Sequence, residues 1–327
     1  MTNDEFQPAP LPSKLLSYLR LFRAPNVFTA AADVAMGFVF VNSSIERWIP
    51  AACLLGASCL LYSAGMVLND VFDVEADSRE RPDRPIPSGQ ISLAWARWLG
   101  FEFLVVGIIL GWCAGFAGGP IPLPWRSGAV ATSLAACVLL YDGALKNTFV
   151  APLAMGACRF FNVLLGMSLG AVAVNGPPVV AGFAASHLMV AGGIGLYISG
   201  VTWFARTEAK TSSRGLLIWG TALMGAGIGM LALFPIVQET GIDYRLDEKY
   251  VWPMVLFMLT FTILRRCILA IVNPQPKRVQ AAVKQCIFSL IVLDAAVCLF
   301  VADWFWAVAV LALLAPMLLL GRWVYST

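Results

Sequence analysis

Long apolar runs dominate this chain and leave few folds open to it. A helix crossing ~30 Å of hydrocarbon needs about 20 mostly apolar residues. Runs of that kind fall near residues 26–43, 48–69, 94–117, 126–142, 150–174, 182–204, 214–236, 250–272 and 283–302. A last run at 304–322 is long enough for a tenth span, or is an interfacial segment behind nine. The chain therefore reads as an all-α polytopic membrane protein. Residues 1–25 form an N-terminal segment and 26–323 a single transmembrane helical bundle. Charged residues make up 13% of the sequence, about half the quarter usual in soluble domains. That excludes a soluble enzyme, a disordered chain and a nucleic-acid binder. The eight cysteines show no C-x-x-C or zinc spacing and read as helix-packing residues. Residues 1–25 are polar and show no cleavable signal.

Basic residues set the orientation. With a cytoplasmic N-terminus, 17 of the 22 Lys and Arg residues fall on the inner side. Only Arg47, Arg126, Arg245 and Lys249 fall outside, and Arg159 lies within a span. Such asymmetry over short loops is the positive-inside signature. A multi-pass protein of the cell's inner (plasma) membrane is expected. Trp48, Trp125 and Trp252 stand at expected outer ends, where aromatic belts form, and the single histidine, His187, reads as interfacial.

The link after the second span, residues 69–89, concentrates the chemistry. Six of the 19 acids lie between Asp70 and Asp83. Asp70, Asp73 and Asp77 are spaced three and four apart, so on a helix continuing that span they share one face, with Glu75 opposite. Like charges at this spacing repel, and a divalent cation reverses the sign. Three carboxylates with the Asn69 amide suit a hard ion such as Mg²⁺, which takes one or two carboxylates plus substrate phosphates. Pro82 ends the helix near Arg81. Arg81 and Arg84 follow in the turn, where guanidinium groups can clamp phosphate oxygens.

The stretch N-D-V-F-D-V-E-A-D-S-R-E-R-P-D-R-P-I-P-S-G resembles the N-D-x-x-D-x-x-x-D…R-P-x-R-P-[IL]-P-S-G motif of the UbiA superfamily of intramembrane prenyltransferases. Arg23-Ala-Pro-Asn26 opens the first span as a basic residue and Asn do in that family, and Tyr141 and Lys146 echo its Tyr…Lys element. The run from Tyr141 to Gly166 is most similar to the EboC-like branch. The resemblance implies a helical bundle around a central cavity. It also implies Mg²⁺ on Asp70, Asp73 and Asp77, an isoprenoid diphosphate donor at the cytoplasmic mouth, and a small lipophilic or aromatic acceptor. Asn26, Asn69, Arg81, Arg84, Tyr141, Lys146, Arg206, Glu208 and Lys210 would bind substrate.

The sequence departs from the family where a second aspartate-rich motif belongs. Residues 203–214 offer one carboxylate, Glu208, among Arg206, Lys210 and Arg214. These cations either bind diphosphate directly or are an ordinary positive-inside loop. Three readings stay open: an active prenyltransferase, a degenerate relative binding an isoprenoid or lipid without turnover, and a small-molecule export component. Arg159, Asp33 and Glu102 lie at similar depth, ~12 Å from the inner face. An unpaired charge there is costly, so Arg159 is expected to pair with Asp33, Glu102 or Asp142. The pair is either a structural tie or a cavity floor. Asp294, deep in the ninth span, has no evident partner, and the glycines at 192, 193, 195, 225, 227 and 229 are expected to allow close helix packing.

Overall fold

The computed structural model describes residues 13–42, 45–117, 123–170, 180–208, 211–237 and 244–324. A short helix, α1 (Ser13–Leu21), precedes α2 (Ala24–Val41), α3 (Trp48–Phe72) and α4 (Val74–Glu80). Then come α5 (Leu93–Phe116), α6 (Trp125–Leu140), α7 (Ala151–Met167), α8 (Ala185–Ala205), α9 (Arg214–Leu233), α10 (Val251–Val272) and α11 (Pro276–Val301). The last two are α12 (Trp304–Leu311) and α13 (Leu314–Leu320). Among the described residues, eight helical segments are long and apolar enough to cross a membrane. Two shorter apolar ones, α7 and the broken pair α12–α13, span 17 residues each, or ~26 Å at 1.5 Å per residue. The tenth run is thus two short helices, broken after Leu311. The ninth span begins at Pro276 rather than near 283, because its polar first turns extend the helix beyond its apolar stretch.

Neighbours in sequence are neighbours in space from α5 through α11, and α11 packs back against α2. The helices therefore close into a ring, with α2 also touching α3, α7 and α13. Small residues allow close crossings, as between α8 and α9. A Cβ on Gly193 would sit 2.9 Å from the Gly227 carbonyl, and one on Gly227 2.5 Å from the Gly193 carbonyl, so only glycine fits on either side of α8 and α9. Gly225 and Gly229, by contrast, face open space, so their part in packing is not realised.

At the end away from the acidic link, Arg126 ties three segments together. Its guanidinium donates to the Ser168 carbonyl at 2.7 Å, to Gly182 at 2.9 Å and to Gly170. Two of these carbonyls follow the end of α7 and the third lies just before α8. Two expectations at this end need correction. Trp252 is fully buried: its ring stacks on Phe300 at 4.4 Å and its indole N–H donates to the Leu231 carbonyl at 2.9 Å. His187 is also buried; its Nδ1 accepts from the Ala184 amide at 2.9 Å, capping the start of α8 between Phe40 and Phe183. Internal hydrogen bonds of this kind let a ring with a polar edge leave the interface.

Candidate active site

Helix α3 reaches Phe72, breaks at Asp73, whose φ of −92° and ψ of 3° leave helical geometry, and resumes as α4. The helix ends as Pro82 requires, with the Arg81 amide donating to the Asp77 carbonyl at 2.8 Å. The chain then folds back through tight turns: Ser88 donates to Arg84 at 2.9 Å and Ile91 to Pro85 at 3.0 Å. Ile86 and Ile91 anchor this return in a small core with Leu21, Val67, Val71 and Ala96. Apolar burial under a polar link is what fixes Arg84 above the aspartates.

Asp70 and Asp77 are buried and Asp73 is half-buried, while Glu75 is exposed as its helical position dictates. One nitrogen, Arg84 Nη1, lies 3.0 Å from Asp70 Oδ1 and 2.5 Å from Asp77 Oδ2. Arg23 approaches Asp70 at 3.6 Å, and Lys146 pairs with Asp73. Three carboxylates are thus matched by three cations. Asn69 Nδ2 donates to Asp142 Oδ1 at 2.9 Å, which ties the amide to a fourth carboxylate. A π-helical turn at Tyr141–Leu145 closes with the Lys146 amide donating to the Tyr141 carbonyl at 2.9 Å. Such turns rearrange a helix face locally, and this one sends Asp142 inward and Lys146 towards Asp73.

No cage of three or more acidic, His or Cys groups exists among the described residues. Two carboxylates do converge on a single cationic point, the Arg84 nitrogen. That donor set fits Mg²⁺, which binds through one or two carboxylates and fills its remaining positions with water and phosphate.

Beneath this cluster the ring encloses a cavity of about 870 Å³, within the usual range for small-molecule sites. Its walls are apolar, including Leu61, Leu134, Val138, Ile198, Val201 and Phe288. Arg23, Asn26, Tyr141, Asp142 and Glu208 stand around the cavity. Arg23 has φ 46° and ψ 49°, a left-handed conformation that costs a non-glycine residue roughly 1–2 kcal/mol. It turns the chain between α1 and α2 and presents its guanidinium both to Asp70 and to the cavity. In the sequence Arg23 marks only the opening of a span, and its place before Ala-Pro is the local signal for the turn. Asp142, Gln280, Lys284 and Arg322 also line the cavity without having been expected there. Nothing local marks the last three, since they arrive only when α11 and α13 close on α2.

The polar floor is a connected network. Arg159 Nη1 pairs with Asp33 Oδ2 at 2.7 Å, and Nη2 donates to Thr29 Oγ1 at 2.7 Å. Asn162 Nδ2 donates to the same Asp33 oxygen at 3.1 Å and to the Ala30 carbonyl at 2.9 Å. Ser58 Oγ donates to Asn162 Oδ1 at 2.7 Å, and the Tyr62 ring lies 5.5 Å from the Arg159 guanidinium. Of the three expected partners for Arg159, Asp33 is the one it meets, while Glu102 is exposed on α5. The pair is both tie and floor: Asp33 is fully buried, and Arg159 lines the cavity. Asp294 faces Asp33. From outside this pair, no donor among the described residues reaches Asp33 Oδ1 or either Asp294 oxygen.

The second link contributes less than the first. Glu208 lines the cavity, and Arg81 stands close enough to act on its charge. Burial pushes the Glu208 carboxyl above its ordinary range, and Arg81 partly opposes this. Arg206 is exposed and donates to the Thr148 carbonyl at 3.2 Å, so it does not face the aspartates as expected. Its helix ends just before it, and the side chain leaves along the outer surface. Lys210 lies outside the described residues.

No family model matches the chain. Digeranylgeranylglyceryl phosphate synthase of Ignicoccus hospitalis is 34% identical over 135 residues, 41% of this chain and 41% of that protein. The synthase of the same name from Saccharolobus solfataricus is 38% identical over 99 residues, 29% of this chain and 34% of that protein. The match thus spans less than half the length of these curated relatives. Over the whole fold, a solved structure described as a digeranylgeranylglyceryl phosphate synthase superposes with a TM-score of 0.59 at 18% identity, covering 92% of this chain and 99% of that one. A UbiA homolog from Archaeoglobus fulgidus bound to GPP and Mg²⁺ gives 0.56 at 14% identity, covering 90% and 99%. The chain thus shares the fold of these solved structures, and part of its sequence is similar to the two synthases.

Proposed function

We propose that this protein transfers a prenyl group from an isoprenoid diphosphate to a lipophilic or aromatic acceptor inside the membrane, with Mg²⁺ as cofactor. The observation that carries this reading is the convergence of Asp70 and Asp77 on one cationic point at an apolar-walled cavity. Relatives' names point the same way: the synthases named above are prenyltransferases, and a UbiA homolog was solved with GPP and Mg²⁺.

Asp70 and Asp77 would hold the metal, with Asp73 and Asn69 beside them. Bound Mg²⁺ would supply positive charge to the departing diphosphate. Arg84, Arg23 and Lys146, now matched to the carboxylates, would turn to the diphosphate oxygens, and Arg81 would close over them. Asn26 and Tyr141 stand where a polar head enters the cavity. The apolar walls would hold the prenyl chain and keep water from the allylic centre as its C–O bond breaks. The acceptor then attacks that carbon and gives up its proton. The basic residues around the acidic mouth support a cytoplasmic side at the plasma membrane, and residues 26–323 would act as one unit. The EboC-like branch stays part of this proposal, on its motif alone.

One observation favours a second reading, an isoprenoid binder without turnover: of the two facing links, the second supplies a single carboxylate, Glu208. Labelled prenyl donors separate the two. Mg²⁺-dependent diphosphate release by the wild type, reduced ~10²-fold or more in Asp70→Ala, is expected. Undiminished release by that variant overturns the mechanism, and binding without release by the wild type establishes the second reading.

A further inference from the structure

A second cavity, about 560 Å³, opens between α10 and α11 at the same end of the bundle as the acidic mouth. Arg265, Arg266, Arg278 and Gln285 line it, together with Phe261 and Leu269. No described carboxylate pairs with any of the three arginines, whereas Arg23, Arg84 and Arg159 all have acidic partners. Three guanidinium groups around one hollow without an anion form an uncompensated site.

Its level in the bilayer identifies the occupant. The α10–α11 hairpin turns at 273–275, and the apolar part of α11 starts only near Val283. Arg265 and Arg266 lie about two turns before the end of α10, which places them opposite that start. They are therefore level with the polar boundary of the membrane, while Arg278 stands above it. Below them, α10 exposes Met254, Phe257, Met258 and Phe261, each 57% or more accessible, to the lipid side. Guanidinium groups above and a bare apolar helix face below match the two ends of a phospholipid.

We propose that this cavity binds a phospholipid with an anionic headgroup from the leaflet on the mouth side. The phosphate sits among Arg265, Arg266 and Arg278, and the acyl chains run along α10 past Phe261 and Phe257. Basic pockets between membrane helices take anionic head groups by this chemistry. Ala281 lines both this cavity and the central one, so the lipid would rest against the outer side of the reaction chamber's wall. The proposal does not depend on the prenyl-transfer reading.

Native mass spectrometry of the full chain released from micelles containing equal phosphatidylglycerol and phosphatidylcholine tests it. The wild type is expected to keep phosphatidylglycerol preferentially. Each Arg→Gln change should lower that preference about fivefold, and the triple variant ~10²-fold. Arg245→Gln, at the opposite end, should leave it unchanged. Should the triple variant fail to fold, Arg278→Gln alone, at an exposed position, still reads the fivefold loss. Equal retention of both lipids by the wild type, or undiminished phosphatidylglycerol on the folded variants, overturns the site. Displacement of the lipid by millimolar inorganic phosphate overturns the lipid assignment in favour of a free-phosphate site.

Discussion

Two clusters in this bundle are built from the same groups and do different work. At the mouth, Asp70, Asp73 and Asp77 face Arg23, Arg84 and Lys146; at the floor, Asp33 and Asp294 face Arg159. The mouth cations are partly exposed, and Asp70 has two of them within reach. The floor pair is dry: Asp33 has no exposure at all, and Thr29, Asn162 and Ser58 complete its network. Near water an ion pair is weak enough to exchange partners. Inside the bundle, losing one partner strands the other charge. The partly exposed cations of the mouth leave a pairing that can open for a ligand, whereas the sealed floor pair cannot.

The sharpest break of this comparison is Asp33→Ala. It leaves the Arg159 guanidinium buried without its carboxylate and is expected to cost roughly 3–5 kcal/mol, read as a shift in the denaturant midpoint of the purified protein in mixed micelles. A loss below about 1 kcal/mol would show the floor to be as loosely held as the mouth. The mouth counterpart, Asp70→Ala, is expected to do the opposite. Folding should change by less than at the floor, because Arg23 and Arg84 are partly exposed and can turn to water, while diphosphate release drops ~10²–10³-fold.

The floor itself contains a smaller contrast. Asp33 and Asp294 lie within hydrogen-bond reach of each other, and from outside this pair no donor among the described residues reaches Asp33 Oδ1 or either Asp294 oxygen. Asp294→Asn keeps the shape and brings an N–H that can reach Asp33 Oδ1. A stabilisation of ~1 kcal/mol is expected in the same denaturation assay. A destabilisation of that size would mean that the second carboxyl is needed where it stands.

How far the sequence reaches differs between the clusters. The mouth was legible because its residues are local. Three aspartates at helical spacing, a proline stop and two arginines lie within 15 residues, and α4 ends where Pro82 demands. Even there, spacing placed all three carboxylates on one face but did not show that a break at Asp73 sends that side chain to Lys146. At the floor, depth arithmetic brought Arg159, Asp33 and Glu102 to one level. Depth gives height and not direction around the helix, so Glu102 remained a candidate until α5 turned it outward. Lys284 and Arg322 were invisible for a third reason: ring closure of α11 and α13 onto α2 is a property of the whole bundle.

Near Arg81 of the first link stands Glu208, the single acid of the second, and its titration gives the mildest test. Burial holds its carboxyl above the ordinary value of 4.5, with Arg81 opposing. Between that value and the raised one, the folded protein binds more protons than the unfolded chain. Stability from this group is therefore greatest at the acid end of the window and falls as pH rises through it. Glu208→Gln removes the ionisation and keeps the size, so the midpoint of unfolding should lose that part of its slope as pH rises above about 4.5. An unchanged slope would place Glu208 in water, where the exposed Glu75 already is. The site would then be a one-sided cluster on α3 and α4, with no acid contributed from the link that faces it.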